Sequence, residues 1–409
     1  MTKAQAGYYV GEAHPLVEWA CAVCRAWGVT NMPLTVESVN ASTVRSYISF
    51  SVADRMPPLS KFELLRVLDM EDDSLPRRCL FLSAVNHFFL LKYVRVHGFL
   101  LELPKKFGKL KHLMTLDMPN SWLYGSSEQL VDFNSLSSLR HLRLPEGVVF
   151  KNGLSKLCNL HDLSKFDVGT NSIECIRDLG EFTNLRNLNV MFDFSRADGV
   201  ENNKLGNSNL RHLDFQVQSS ERAPSAQFWS NCLTRPRHLQ RLRLNGVTMP
   251  KLPNWIAHAD RLADVDLSVH ELRSDDVQVL AQLPCLTFLD LSAKTIPENI
   301  IIHPNTFHGL KRFKFWRSQA LSSRLTFEPD AMPWLQILAI IHNAMATDTE
   351  EGAMQLQEGS PVGGIEHLAS LEGIGLVILA KCDQGSKIES AYRDAINSHP
   401  KSQAMKIDD

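Results

Sequence analysis

The sequence predicts an open, curved α/β solenoid whose concave side is a parallel β-sheet, and three observations predict it. A six-residue pattern with leucine or another apolar residue at its first, fourth and sixth places (LxxLxL) returns thirteen times. Its starts, from Leu65 to Leu371, lie 22 to 29 residues apart except for one interval of 36. The 56 leucines are unevenly placed: only Leu16 and Leu34 fall in the first 40 residues, so the repetition begins near Ala41. A chain of 409 residues is long for one compact core, whereas a repeat array grows by stacking and meets no such limit.

In order, the units are LRVLDM from Leu65, LKYVRV from Leu91, LMTLDM from Leu113, LRHLRL from Leu139, LSKFDV from Leu163 and LRNLNV from Leu185. They continue with LRHLDF from Leu210, LQRLRL from Leu239, LADVDL from Leu262, LTFLDL from Leu286, LKRFKF from Leu310, LQILAI from Leu335 and LEGIGL from Leu371. This period is that of the leucine-rich-repeat horseshoe, here with about 13 repeats. Side chains alternate faces along a strand, so the second leucine and the last apolar residue point into the solenoid. The first leucine enters the same core from the turn before the strand. One unit cannot cover its own apolar side, and stacked neighbours complete it. Burying each such leucine contributes about 1.5–3 kcal/mol, so three per unit offset much of the ordering entropy.

Segments between strands, such as LPKKFGKLKHL and LGEFTNL, read as short convex helices or turns rather than a second sheet. The interval of 36 places a loop rich in Gly, Glu and Ser, Thr347 to Gly364, ahead of the last unit. A short helix near Ile388 to Asn397 is expected at the C-terminal end. The expected division is therefore an atypical segment over 1–40 (disordered or a cap), the repeat domain over 41–380, and a helix with its tail over 381–409.

Composition excludes several classes. The formal net charge is −2, so no whole-chain field draws the protein to nucleic acid or membrane. The eight cysteines form no framework, and several sit beside leucines (LCNL, LPCL), where a thiol packs as a small hydrophobe. Cys21 and Cys24 make a lone CxxC without a second pair at ligand spacing, which argues against zinc. The N-terminus lacks the apolar core of a secretory signal, and no run of ~18 apolar residues spans a bilayer. These features point to a cytoplasmic protein with no cofactor and no metal. The motifs GxSxG, HExxH and GxxxxGK[ST] are all absent, so no enzyme is expected.

The order and wording of several stretches carry a resemblance. VRSYISF is followed by KFELLRVLDMED and LKYVRVHGFLLELPKKFGKLKHLMTLDM, later by MPKLPNWIAHADRLADVDLS, LAQLPCLTFLDLS, LTFEPDAMPWLQILAI and GIEHLASLEGIGLVI with AINSHP. From about Val44 onward the chain resembles the repeat domain of plant intracellular nucleotide-binding leucine-rich-repeat disease-resistance proteins, in particular the grass coiled-coil type. The convex stretches lack the LxxNxLxGxIP consensus of extracellular plant repeats, and the asparagine that ladders along the inner edge is mostly missing. The family's P-loop is missing too; the nearest string, Gly108-Lys109-Leu110, lacks the Mg²⁺-binding hydroxyl. The resemblance thus implies a repeat domain only. It implies recognition of a pathogen effector or a host signalling protein, with a nucleotide-binding domain in cis or in trans as a further partner. The alternatives are a signalling-scaffold repeat protein of the Ras-regulator-like type with no immune role, and a non-functional receptor fragment.

Thirteen strands at ~4.8 Å spacing present about 600–700 Å² of outward surface, close to one side of a standard protein interface. The template marks basic residues as outward at Arg66, Lys92, Arg95, Arg140, His141, Arg143, Arg186, Arg211, His212, Arg241, Arg243, Lys311, Arg312 and Lys314. Acidic residues interrupt them at Asp69, Asp117, Asp214, Asp264, Asp266 and Asp290. Arg140, Arg143, Arg241 and Arg243 are expected to form a basic stripe for an acidic partner surface, and Lys311, Arg312 and Lys314 a second basic group. Phe288 on an outward position, with Trp316 and Trp334 just after their strands, offers aromatic anchors. The competing reading makes the charges solvated faces and the aromatics packing between the last units. Trp255 reads as core. Nucleic acid is disfavoured by the neutral net charge, which leaves a protein partner.

Overall fold

The computed structural model describes residues 41–50, 59–72, 77–192 apart from 109 and 126, 205, 209–217, 225–233, 236–317, 323–343, 361–379, 382–400 and 406–408. The segment 1–40 and residues 347–360 of the expected loop lie outside the described residues.

The repeats build one parallel sheet of 15 strands that follow one another in chain order. Its strands are β1 (Ser46–Phe50), β2 (Val67–Glu71), β3 (Tyr93–His97), β4 (Thr115–Asp117), β5 (His141–Arg143), β6 (Asp162–Asp167), β7 (Asn187–Phe192) and β8 (His212–Val217). The row continues with β9 (Arg241–Asn245), β10 (Asp264–Glu271), β11 (Phe288–Thr295), β12 (Arg312–Arg317), β13 (Ile337–Asn343), β14 (Gly373–Leu379) and β15 (Lys406–Asp408). The thirteen repeat strands are β2 to β14, with β1 and β15 added at the two ends. Period two explains the burial. Leu68, Val94, Leu116, Leu142, Leu163, Leu188, Leu213, Leu242, Val265 and Leu289 stand in successive strands and are all buried, while the residues on either side of each are not.

One unit is shifted from its expected place. Leu163 pairs with Leu142 and Leu188, so it is the second leucine of its unit and Leu160 is the first. The shift arises from a bulge: Lys165 adopts φ 61, and the register slips between Leu163 and Phe166. An extra residue in a strand mimics the three-residue offset of the template, which is why the sequence pattern misaligned here.

Aromatic rings reinforce the core along the solenoid axis. Phe107, Phe133, Phe150 and Phe166 run through successive units with ring centroids 5.4, 5.0 and 5.8 Å apart. Trp255 is buried and donates its Nε1–H to the Trp229 carbonyl at 2.7 Å, as a core tryptophan should. Asparagines also ladder, but one residue ahead of the first leucine. The Nδ2 groups of Asn159, Asn184 and Asn209 donate to the carbonyls of Ser137, Cys158 and Thr183 at 2.8–3.0 Å.

The connecting segments depart from expectation, because many are strands. Cys79–Phe81, Leu100–Glu102 and Trp122–Leu123 make a small parallel sheet, Gln129–Val131 pairs with Val148–Phe150, and Asn299–Ile302, Arg324–Phe327 and Val362–Gly363 make another. These pieces are too short for a helix, and most carry a β-branched or aromatic residue. In Asn299–Ile302, for example, Ile300 and Ile302 are buried and Ile301 is exposed. Helices form where a segment is longer or capped: α1 (Ile173–Glu181), α2 (Ala226–Asn231) and α3 (Ser274–Ala281). Ser172 and Ser225 accept the Cys175 and Phe228 N–H groups at the starts of the first two. The last helix, α4 (Cys382–Asn397), begins earlier than expected. It docks through Tyr392, whose fully buried hydroxyl accepts from Arg317 Nη1 at 3.0 Å and lies 3.2 Å from His342 Nδ1.

Candidate recognition surface

The outward side chains of the sheet stand in columns, because neighbouring strands pair without offset over most of their length. The first column reads Val67, Tyr93, Thr115, His141, Asp162, Asn187, His212, Arg241, Asp264, Phe288, Arg312, Ile337, Gly373. The second, two residues on, begins Asp69, Arg95, Asp117, Arg143 and later runs Asp214, Arg243, Asp266, Asp290, Lys314, Ala339, Gly375.

Signs alternate along the second column except where Asp266 meets Asp290, and the basic groups are neutralised across strands. Arg95 Nη1 lies 3.1 Å from both Asp69 and Glu71, and Arg143 Nε lies 3.6 Å from Asp117. Arg241 Nε and Arg243 Nη2 converge on Asp264 Oδ2 at 2.7 and 3.0 Å, and Lys314 Nζ reaches Asp290 at 3.0 Å. Burial pushes Asp69, Asp117 and Asp290 above the usual carboxylate range, against the pull of their cationic neighbours. Asp266 is pushed up to about 6, first by burial and then by the like charge of Asp290. In the first column His141 Nδ1 contacts Asp162, whose other oxygen accepts from Asn187 Nδ2.

This geometry revises the expected basic stripe. Arg143 lies on β5 and Arg241 and Arg243 on β9, with three strands between them, about 19 Å from one to the other. Each of the three is held by a carboxylate, so they form no continuous positive band. Arg140 and Lys311 do not lie on the concave columns at all, and neither do Arg66, Lys92, Arg186 or Arg211. Each stands one residue ahead of its strand, and the template had counted that place as outward.

Of the aromatic candidates, Phe288 is half-buried in the first column between Asp264 and Arg312. Trp316 lies inside β12 rather than after it, half-buried, with Lys314 Nζ 4.6 Å from its ring centroid. Trp334 precedes β13 and is 65% exposed. The aliphatic end of the surface was missed by the sequence reading. Ile337, Val377 and Leu379 are exposed on β13 and β14, over a floor opened by Gly373 and Gly375. LQILAI carried the signal, an isoleucine at an outward place. Arg312, exposed and in register between Phe288 and Ile337, has no ion pair among the described residues. His303 lies 3.0 Å from Glu328, and no group of three or more metal-ligating side chains gathers among the described residues.

A parallel sheet built from one strand per unit, with a paired-charge middle and an apolar end, defines a leucine-rich-repeat solenoid. The leucine-rich repeat region family matches residues 43–405, and the chain belongs to it. Its repeats are homologous to those of rice disease-resistance proteins. It is 30% identical over 382 residues to disease resistance protein RGA5 of Oryza sativa subsp. japonica, covering 88% of this chain and 32% of that protein. It is 26% identical over 372 residues to disease resistance protein Pik-2 of the same organism, covering 76% and 36%. The chain thus spans about a third of the length of these relatives. Among solved structures, a leucine-rich-repeat protein of Leptospira interrogans superposes with a TM-score of 0.47 at 16% identity, covering 85% of this chain and 84% of that one. No helix among the described residues is long and apolar enough to cross a membrane.

Proposed function

We propose that the chain binds a protein partner on its concave sheet, as the recognition segment of a cytoplasmic plant disease-resistance protein. The partner on this reading is a pathogen effector or a host protein that an effector alters. The observation that carries it is the end of the sheet formed by β11 to β14. Phe288, Trp316, Ile337, Val377 and Leu379 offer apolar surface there beside Arg312, which has no ion pair among the described residues. Exposed apolar side chains beside an arginine are the composition of interface anchors, and the extent of the sheet suits a protein partner. The ion-paired middle of the sheet then supplies register and rejection of wrong partners more than affinity. Homology to rice resistance proteins supports the defence setting.

The test is affinity capture from pathogen-challenged leaf extract, using the intact chain and an Ile337→Glu/Val377→Glu variant. A protein retained by the first and lost from the second is expected. Equal retention by both, or capture of nothing but nucleic acid, contradicts the reading.

A further inference from the structure

The connecting strands Cys79–Phe81, Leu100–Glu102 and Trp122–Leu123 carry a face that the concave sheet does not use. Leu80 and Leu101 point into the core and are buried, so period two turns their neighbours outward. Register sets the outward residues in two rows. In the first, Cys79 stands beside Leu100 and Leu100 beside Trp122. In the second, Phe81 stands beside Glu102, and the N–H of Tyr124 donates to the Leu101 carbonyl at 2.8 Å, which brings Tyr124 to the far side of Glu102. The chain supplies its own cation to the first row: Arg77 lays its guanidinium carbon 3.2 Å from the centre of the Trp122 ring. The second row receives none. Phe81 is 53% and Tyr124 48% exposed, and their ring centroids are 6.0 Å apart with the planes at 69°. Glu102 is exposed between them, with no cation within ion-pair distance among the described residues.

We infer that Phe81, Glu102 and Tyr124 form a binding site for an arginine side chain of a protein partner. Two ring centroids 6.0 Å apart allow one cation to lie within ~6 Å of both, and the carboxylate between them supplies the opposite charge. Guanidinium suits this site better than ammonium. It is planar and weakly hydrated, so it stacks on an exposed ring at small desolvation cost, and its N–H fork matches both oxygens of a carboxylate. An ammonium is compact and strongly hydrated, and on an exposed face it keeps its water. The Arg77–Trp122 pair is the same chemistry one row away, made within the chain. Leu100 and Trp122 extend the face past the site, so the residues that flank the arginine in a protein find apolar surface of their own. An arginine seated among aromatic and apolar neighbours has the make-up of an interface anchor. These strands belong to the connecting segments, so the site stands or falls without the concave reading.

The probe is a capped Gly/Ser peptide with one central arginine, titrated to millimolar concentration against the full chain and read by saturation-transfer NMR. Comparators carry lysine, trimethyl-lysine or glycine at the same place. The arginine peptide is expected to bind at least about threefold more tightly than the lysine and trimethyl-lysine peptides, and the glycine peptide to give no signal. Glu102→Gln, which keeps the shape of the side chain, is expected to weaken the arginine peptide at least about fivefold. Phe81→Leu combined with Tyr124→Leu is expected to weaken it by about as much. Glu181→Gln, an exposed carboxylate removed from α1, should leave it within about twofold. If circular dichroism shows the aromatic double variant unfolded, Glu102→Gln decides alone. The inference is overturned if the arginine peptide gives no saturation transfer, if the lysine or trimethyl-lysine peptide binds as tightly, if Glu102→Gln binds as the unaltered chain does, or if Glu181→Gln loses as much.

Discussion

Two glycines at equivalent places separate backbone conformation from packing. Gly98 follows β3 at φ +84 and Gly246 follows β9 at φ +76, so both sit where an L side chain is strained. A Cβ on Gly246 meets nothing within 4 Å, whereas a Cβ on Gly98 falls 2.0 Å from the Asp72 carbonyl oxygen. That oxygen cannot retreat freely, because the N–H of Asp72 donates to the His97 carbonyl at 3.0 Å. Gly246→Ala should therefore cost only the left-handed penalty, about 1–2 kcal/mol. Gly98→Ala adds the hydrogen bond that must open, about 0.5–1.5 kcal/mol, and overpacking of about 1–3 kcal/mol, for about 3–6 kcal/mol in all. Urea unfolding followed by circular dichroism reads the difference directly. Equal losses for the two variants would refute the argument that close approach of the β2 and β3 turns, rather than φ alone, requires glycine at 98.

Two further outcomes follow from titratable groups. His342 is buried beside Arg317, and burial first and that charge second lower it to about 4. Its folded value lies below the unfolded one, so it costs nothing above pH ~6.5 and removes up to about 3 kcal/mol as pH falls towards 4. His342→Gln should flatten the urea midpoint between pH 6.5 and 4, and an unchanged slope would count against the buried network. Asp266, raised to about 6, has the opposite sign: its ionised form weakens the fold above that pH. Asp266→Asn should raise the midpoint at pH 7.5, with the gain shrinking between pH 6 and 4; a loss at pH 7.5 would show that Asp266 is a favourable partner.

The sheet was legible in the sequence because its information is local. A leucine at the first and fourth places of each unit is enough to set period two and the burial of Leu116, Leu142 or Leu289. What escaped were features set between units. The bulge at Lys165 depends on how β6 fits β5 and β7, and a six-residue template cannot see it. The charge pairs depend on register across strands: Arg241 and Asp264 are 23 residues apart, and only their stacking brings them to 2.7 Å. Counting basic residues along the chain therefore suggested a stripe where the structure has a neutral lattice. The same count placed Arg140 and Lys311 on the concave face, because a template gives no boundary between rim and strand. The connecting segments were misjudged for a related reason. Pieces of two to four residues have no periodicity of their own and become strands only when a neighbour supplies the hydrogen bonds.

The central claim is that recognition happens on the concave sheet near its C-terminal end. A photo-crosslinking amino acid placed at 337, between Arg312 and Gly373, tests it against one at the exposed convex position 151. After irradiation in challenged leaf tissue, a discrete protein adduct from position 337 and none from 151 is the expected result. Adducts of equal yield from both positions, or from 151 alone, would contradict it.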